Sequence, residues 1–136
     1  VGIVVSEEYK KLTMPVEAWS EIEEEIEPEP KEVRVKVVYD WSEERVVKEI
    51  QKVFPDVPIM IKVAKCESEY DIYAYNPTNN SHDTGVLQIS KKYHGERAER
   101  LGYDLNNPID NLAFGRLLYD QQGLAPWIWS KHCWNK

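Results

Sequence analysis

The stretch Ala64-Lys65-Cys66-Glu67-Ser68-Glu69-Tyr70-Asp71, followed sixteen residues after Glu67 by Asp83-Thr84-Gly85-Val86-Leu87-Gln88-Ile89-Ser90, decides how this chain is read. Upstream of it, Pro58 opens a run through Ile59, Met60, Ile61, Val63 and Ala64 that predicts a helix to Glu67, apolar nearly all round and therefore central to a core. Before that helix, Ser42 is an N-cap with Glu43 and Glu44 in the first turn. Val46, Val47, Ile50, Val53 and Phe54 share one face, so the spacing predicts a helix over 42–54 that Pro55 and Pro58 bring to an end. Downstream, Asn76 to Ser81 is turn chemistry and Gly85 to Ile89 has strand character, which together predict a small hairpin or irregular strand pair. Lys91 to Leu101 predicts a helix stopped near Gly102. Pro108 to Gln122, with Ile109, Leu112, Ala113, Leu117 and Leu118 at helical spacing and Gly123 behind them, predicts another. Pro126 to Ser130 reads as a short turn packed on the core. The class expected is α+β, predominantly α.

The chain has 136 residues, which fits one domain, and a net charge of −7 that is unevenly placed. Residues 1–32 hold three Lys and ten Asp or Glu, whereas the remainder holds fourteen of each sign. Between Glu17 and Glu32 the acids are interrupted by Pro28 and Pro30, so 1–32 reads as an acidic extension or linker and 33–136 as the domain. Val33, Val35 and Val37 alternate with Arg34 and Lys36, as in a short edge strand or an extended lead into the domain. Val1 to Val5 is a short apolar patch that reads equally as a strand, a docking peptide or a remnant of a removed segment. The chain begins at Val1 without the basic and apolar regions of a signal peptide, so its start reads as a mature end or an arbitrary boundary. An acidic chain without a Lys/Arg-rich face is a poor partner for nucleic acid, because phosphate contacts supply most of that affinity. The absence of a run of about eighteen apolar residues argues against a membrane-spanning helix.

Cys66 and Cys133 allow one intramolecular pairing, and neither has zinc-ligand spacing. The choice is a disulfide or two buried thiols. A bridge would tie the chain's end to the helix carrying Glu67, close a loop worth about 4 kcal/mol in the chain-entropy model, and imply an extracytoplasmic or secreted protein. His82, His94 and His132 also lack ligand spacing, so neither a metal nor any other cofactor is expected.

Glu67 leaves an apolar helix and Asp83 enters a short strand. Apolar surroundings disfavour the charged form of a carboxyl, so Glu67 is placed to stay protonated and give its proton to a sugar oxygen. Asp83, among polar Ser81, His82 and Thr84, is placed to stay ionised and steady a developing sugar cation. Tyr73, Tyr75, Tyr93, Trp127 and Trp129 are candidates for stacking on sugar rings, with core packing as the alternative use of each. Tyr93 is the best placed of them, five residues after Gln88.

The pattern Ala64-Lys65-Cys66-Glu67-Ser68, then Asp83-x-Gly85-x-x-Gln88-Ile89-Ser90, resembles the Glu-Ser and Gly-x-x-Gln-Ile-Asn motifs of the lysozyme-like superfamily, which includes chicken-type lysozymes and bacterial or phage lytic transglycosylases. The chicken-type enzymes are the type case of the Glu/Asp pair. Asn106-Asn107-Pro108-Ile109-Asp110-Asn111 is similar to the Asn-containing helix start of the transglycosylases, and Pro126-Trp127-Ile128-Trp129-Ser130-Lys131-His132-Cys133-Trp134 to a Trp-rich closing segment. The resemblance covers roughly residues 42–136. It implies a lysozyme-like fold with a small β-hairpin beside an active-site cleft. It also implies Glu67 as catalytic acid, Asp83 as second carboxylate, Gln88 as a group contacting the sugar or shaping the cleft, and Ser68, Tyr93, Asn111 and Trp127 as further substrate-binding residues, Trp127 forming the apolar wall against Glu67. Chicken-type lysozymes carry several disulfides and a cysteine one helical turn before the catalytic Glu, whereas here Cys66 immediately precedes Glu67. Two cysteines, a shorter domain and the Asn111 segment look closer to bacterial, conjugation-associated or phage enzymes.

The function the resemblance implies is cleavage of the β-1,4 bond between N-acetylmuramic acid and N-acetylglucosamine in peptidoglycan glycan strands. The alternative is a lytic transglycosylase, which uses the substrate's own 6-hydroxyl and leaves 1,6-anhydromuramic ends; Asp83 occurs in both kinds and does not separate them. An alternative of another class is an inactive lysozyme-like module that binds glycan or protein. A third reading is an inhibitor or assembly protein whose acidic N-terminal tail docks on a basic protein partner or stays on the cell surface.

Overall fold

The computed structural model describes residues 41–136. The acidic stretch 1–32, the patch Val1 to Val5 and the alternation Val33 to Val37 lie outside the described residues. Five helices and one three-stranded sheet make up the rest: α1 Glu43–Val53, α2 Ile59–Ser68, β1 Tyr75–Asn76, β2 Asp83–Thr84, β3 Ile89–Ser90, α3 Lys91–Arg100, α4 Pro108–Gln122 and α5 Lys131–Trp134. Short 3₁₀ turns lie at Thr78–Asn80 and Ala125–Ser130. The described part is α+β and mostly helical, as expected.

The helices begin and end for local reasons. Ser42 Oγ accepts from the amide of Arg45 and caps α1. Asn107 Oδ1 accepts from the amides of Ile109 and Asp110, and Pro108 fills the first position of α4, where no amide proton is required. α2 stops where Glu69 and Tyr70 adopt left-handed backbone conformations, φ 52° and 64°. α1 buries Val46 and Ile50, α2 buries Met60, Val63 and Ala64, and α4 buries Leu112, Phe114 and Leu118 against them. α1 packs on both α2 and α4, while α2 also packs on α5 and the 3₁₀ turn before it.

The sheet is antiparallel in the order β1-β2-β3, with Tyr75 opposite Thr84 and Thr84 opposite Ile89. The strand expected over Gly85 to Ile89 requires correction. Gly85-Val86-Leu87-Gln88 is the loop between β2 and β3, and only Ile89 lies in a strand. Gly85 at φ +77° and Gln88 at φ +48° turn the chain, and consecutive apolar Val86 and Leu87 are both buried, as a loop pressed into the core allows and a two-faced strand does not.

Asn111, on α4 and wholly buried, holds that loop. Its Oδ1 accepts from the amide of Leu87 at 3.1 Å, and its Nδ2 donates to the carbonyls of Thr84 at 2.9 Å and Leu105 at 3.0 Å. A Cβ on Gly85 would come within 2.5 Å of Asn111 Nδ2, and one on Gly115 within 2.2 Å of Leu87 Cδ1, so both glycines are needed for the close approach of loop to helix. Cys66 and Cys133 form a disulfide with Cα atoms 6.0 Å apart, linking α2 to α5. Replacing Asn111 by Ala removes the side-chain hydrogen bonds to one buried amide and two carbonyls, so Asn111→Ala is expected to lower the unfolding free energy by about 2 to 4 kcal/mol in urea titrations.

Candidate active site

A cleft of about 570 Å³ opens between the end of α2, the sheet, the start of α3 and the 3₁₀ turn at Ala125–Ser130. Glu67 comes to it from the last turn of α2 and Asp83 from β2. Gln88, Tyr93, His94, Trp127 and Trp129 also line it. Trp127 is buried, and its Nε1 donates to the carbonyl of Leu87 at 2.9 Å, fixing the indole between the hairpin loop and the closing segment. Trp129 is the opposite case: it is 90% exposed on the wall of the same cleft, as Tyr93 is at 72%.

Glu67 is half-buried, and its carboxyl is held above the ordinary range. Burial is the main cause, since it removes water from the charged form. A hydrogen bond from Ser130 Oγ to Glu67 Oε1, 2.5 Å long, pulls the other way, and the negative charge of Asp83 pushes up again. The arrangement suits a carboxyl that keeps its proton where an exposed one would have lost it, with a second carboxylate within electrostatic reach. Among the described residues no group of His, Cys, Asp and Glu side chains could hold a metal ion.

Curated proteins that this chain matches include lysozymes. Lysozyme C of Colobus angolensis is 34% identical over 89 residues, a match covering 54% of this chain and 60% of that protein. Lysozyme C of Semnopithecus entellus is 35% identical over the same spans, and lysozyme C-3 of Sus scrofa 32% over 91 residues. The chain is similar to these lysozymes over the matched residues, which supports membership of the lysozyme-like superfamily. It spans about 60% of the length of the curated relatives it matches. No family model matches it, and no solved structure does.

Within this lysozyme-like domain the expected residues divide into two groups. Glu67, Asp83, Gln88, Tyr93 and Trp127 line the cleft together. Gln88 shapes the wall: its Nε2 donates to the carbonyls of Ala74 and Gly85, both at 3.0 Å. Ser68 and Asn111, expected at the substrate, are corrected to framework residues. Ser68 is buried, with Oγ donating to Val86 O at 2.7 Å and lying 3.2 Å from Ala64 O. Asn111 has no exposed surface and all of its contacts go to backbone. Of the stacking candidates, Tyr73 and Tyr75 are exposed outside the cleft lining, and Tyr75 stacks on His82 with ring centres 5.8 Å apart. Sequence reasoning missed Ser130 as a partner of Glu67, since a serine sixty-three positions away in a Trp-rich segment carries no distinguishing signal.

A carboxyl whose affinity for protons is higher in the folded than in the unfolded chain contributes stability below its ordinary value of 4.5, and that contribution is lost as pH rises through the higher folded value. Glu67→Gln is therefore expected to raise the melting temperature relative to wild type at pH 7, with the advantage shrinking towards pH 4. Calorimetric scans across that range check the sign.

Proposed function

We propose that this protein cleaves the β-1,4 bond between N-acetylmuramic acid and N-acetylglucosamine in peptidoglycan, with Glu67 as the general acid. The observation that carries the reading is a half-buried glutamate with raised proton affinity on the wall of a cleft, facing the charge of Asp83. In the reaction Glu67 passes its proton to the glycosidic oxygen, the bond from that oxygen to the anomeric carbon breaks, and the departing sugar leaves as an alcohol. The positive charge left on the ring is steadied by Asp83. Water then adds to the anomeric carbon, and its proton returns to a carboxylate of the site. The exposed indole of Trp129 on the cleft's wall is of the kind that packs on sugar faces. The lysozymes among the relatives support the substrate class, and the disulfide fits work in an oxidising compartment.

Mass spectrometry of fragments released from purified peptidoglycan tests the reading. Soluble muropeptides with reducing ends are the expected products, and 1,6-anhydromuramic ends would replace water by the substrate's 6-hydroxyl as acceptor. Glu67→Gln should reduce release by about 10² to 10⁴-fold, the usual contribution of a positioned acid. Equal release by wild type and variant, or none by the wild type, would remove the enzymatic reading in favour of a glycan-binding module.

A further inference from the structure

We propose that Ser130 is the positioning residue of Glu67, its hydroxyl oriented by the Trp134 indole so that its single proton serves the Glu67 carboxylate when that group has given its own proton away. The inference rests on the reading of Glu67 as the general acid and extends it to a residue outside the carboxyl pair.

The geometry is specific. Ser130 Oγ lies 2.5 Å from Glu67 Oε1 and 3.2 Å from the carbonyl of Trp127. Trp134 Nε1, which can only donate, lies 3.1 Å from Ser130 Oγ and 3.2 Å from the same Trp127 carbonyl. The hydroxyl therefore has one proton for two acceptors, while an indole N–H occupies its oxygen and part of the competing carbonyl. The shorter contact and the shared carbonyl both favour donation to Glu67. An N–H delivered to Oγ also polarises the hydroxyl and makes it a better donor. Trp127 departs from helical geometry inside its 3₁₀ turn, at φ −109° and ψ 19°, and Trp134 is buried. Trp127 is buried as well.

The disulfide brings the two ends of this relay together. Cys66 precedes Glu67 and Cys133 precedes Trp134, so one covalent link fixes both the acid and the indole that orients its hydrogen-bond donor. Other titratable groups around the site are Asp83 on β2, whose charge opposes ionisation of Glu67, and Tyr93 and His94 on α3 at the cleft wall. The proton affinity of Glu67 is lowered by the Ser130 hydrogen bond against burial and Asp83, in keeping with an acid that must release its proton as well as keep it.

The test follows Glu67 by carbon-13 NMR of its carboxyl across pH in wild type, Ser130→Ala and Ser130→Thr, alongside the pH profile of kcat/KM on peptidoglycan. In the alanine variant the Glu67 titration and the alkaline limb of the profile should move up by about one pH unit, the scale of one hydrogen bond to a charged group, and threonine should restore both. If alanine does not fold, Ser130→Val takes its place against Ser130→Thr, since the two share a shape and differ in the hydroxyl. A variant lacking the hydroxyl that is folded yet titrates as wild type overturns the assignment, even if it is less stable. A titration that moves in a protein releasing no glycan fragments overturns the proposed reaction and leaves Ser130 as the group that sets Glu67.

Discussion

The side-chain amide of Asn111 joins the helical part of this domain to its sheet, and the rest of the cleft follows from that junction. It reaches Leu87 and Thr84 in the hairpin and Leu105 before α4, in each case through backbone groups. Because Leu87 is held there, its carbonyl is in position for the Trp127 indole, and because Thr84 is held there, Asp83 beside it faces the cleft. Gly85 and Gly115 have no side chain because the loop rests on α4 at a distance that a Cβ would not permit.

The helices were legible because their signals are local. Ser42, Pro58, Pro108 and Gly123 mark ends that follow from capping and backbone chemistry, and the apolar spacing between them identifies what is buried. Glu67, Asp83 and their cleft neighbours were legible through spacing and motif. The Gly85 to Ile89 segment misled because apolar residues in succession have the same composition whether they form a strand or a loop driven into a core. Asn111 and Ser68 misled for a related reason: a polar residue within a motif looks like a ligand-binding group until its burial and partners are known. Ser130 could not be found at all, since its meaning depends on a fold that brings it to Glu67.

Glu67 is held by opposing influences. Burial and the charge of Asp83 work against its ionised form, and Ser130 works for it. A glutamate kept in such surroundings costs stability at neutral pH, and the closed loop of the Cys66–Cys133 bridge offsets that by constraining the unfolded chain. The bridge does so at the same point of the fold, one residue from the glutamate itself.

The strands of the sheet are two residues long. Segments so short cannot hold a register by pairing alone, and the hairpin gains its shape only when α4 is present to receive Val86 and Leu87. The consequence is an uneven cost of closing the cleft. Residues 84 and 111 meet across a long separation in the chain, whereas residues 67 and 130 are tethered by the Cys66–Cys133 bridge even in the unfolded chain. The acid and its donor are thus held near one another by a covalent link, and it is the opposing carboxylate on the hairpin that packing on α4 has to bring in.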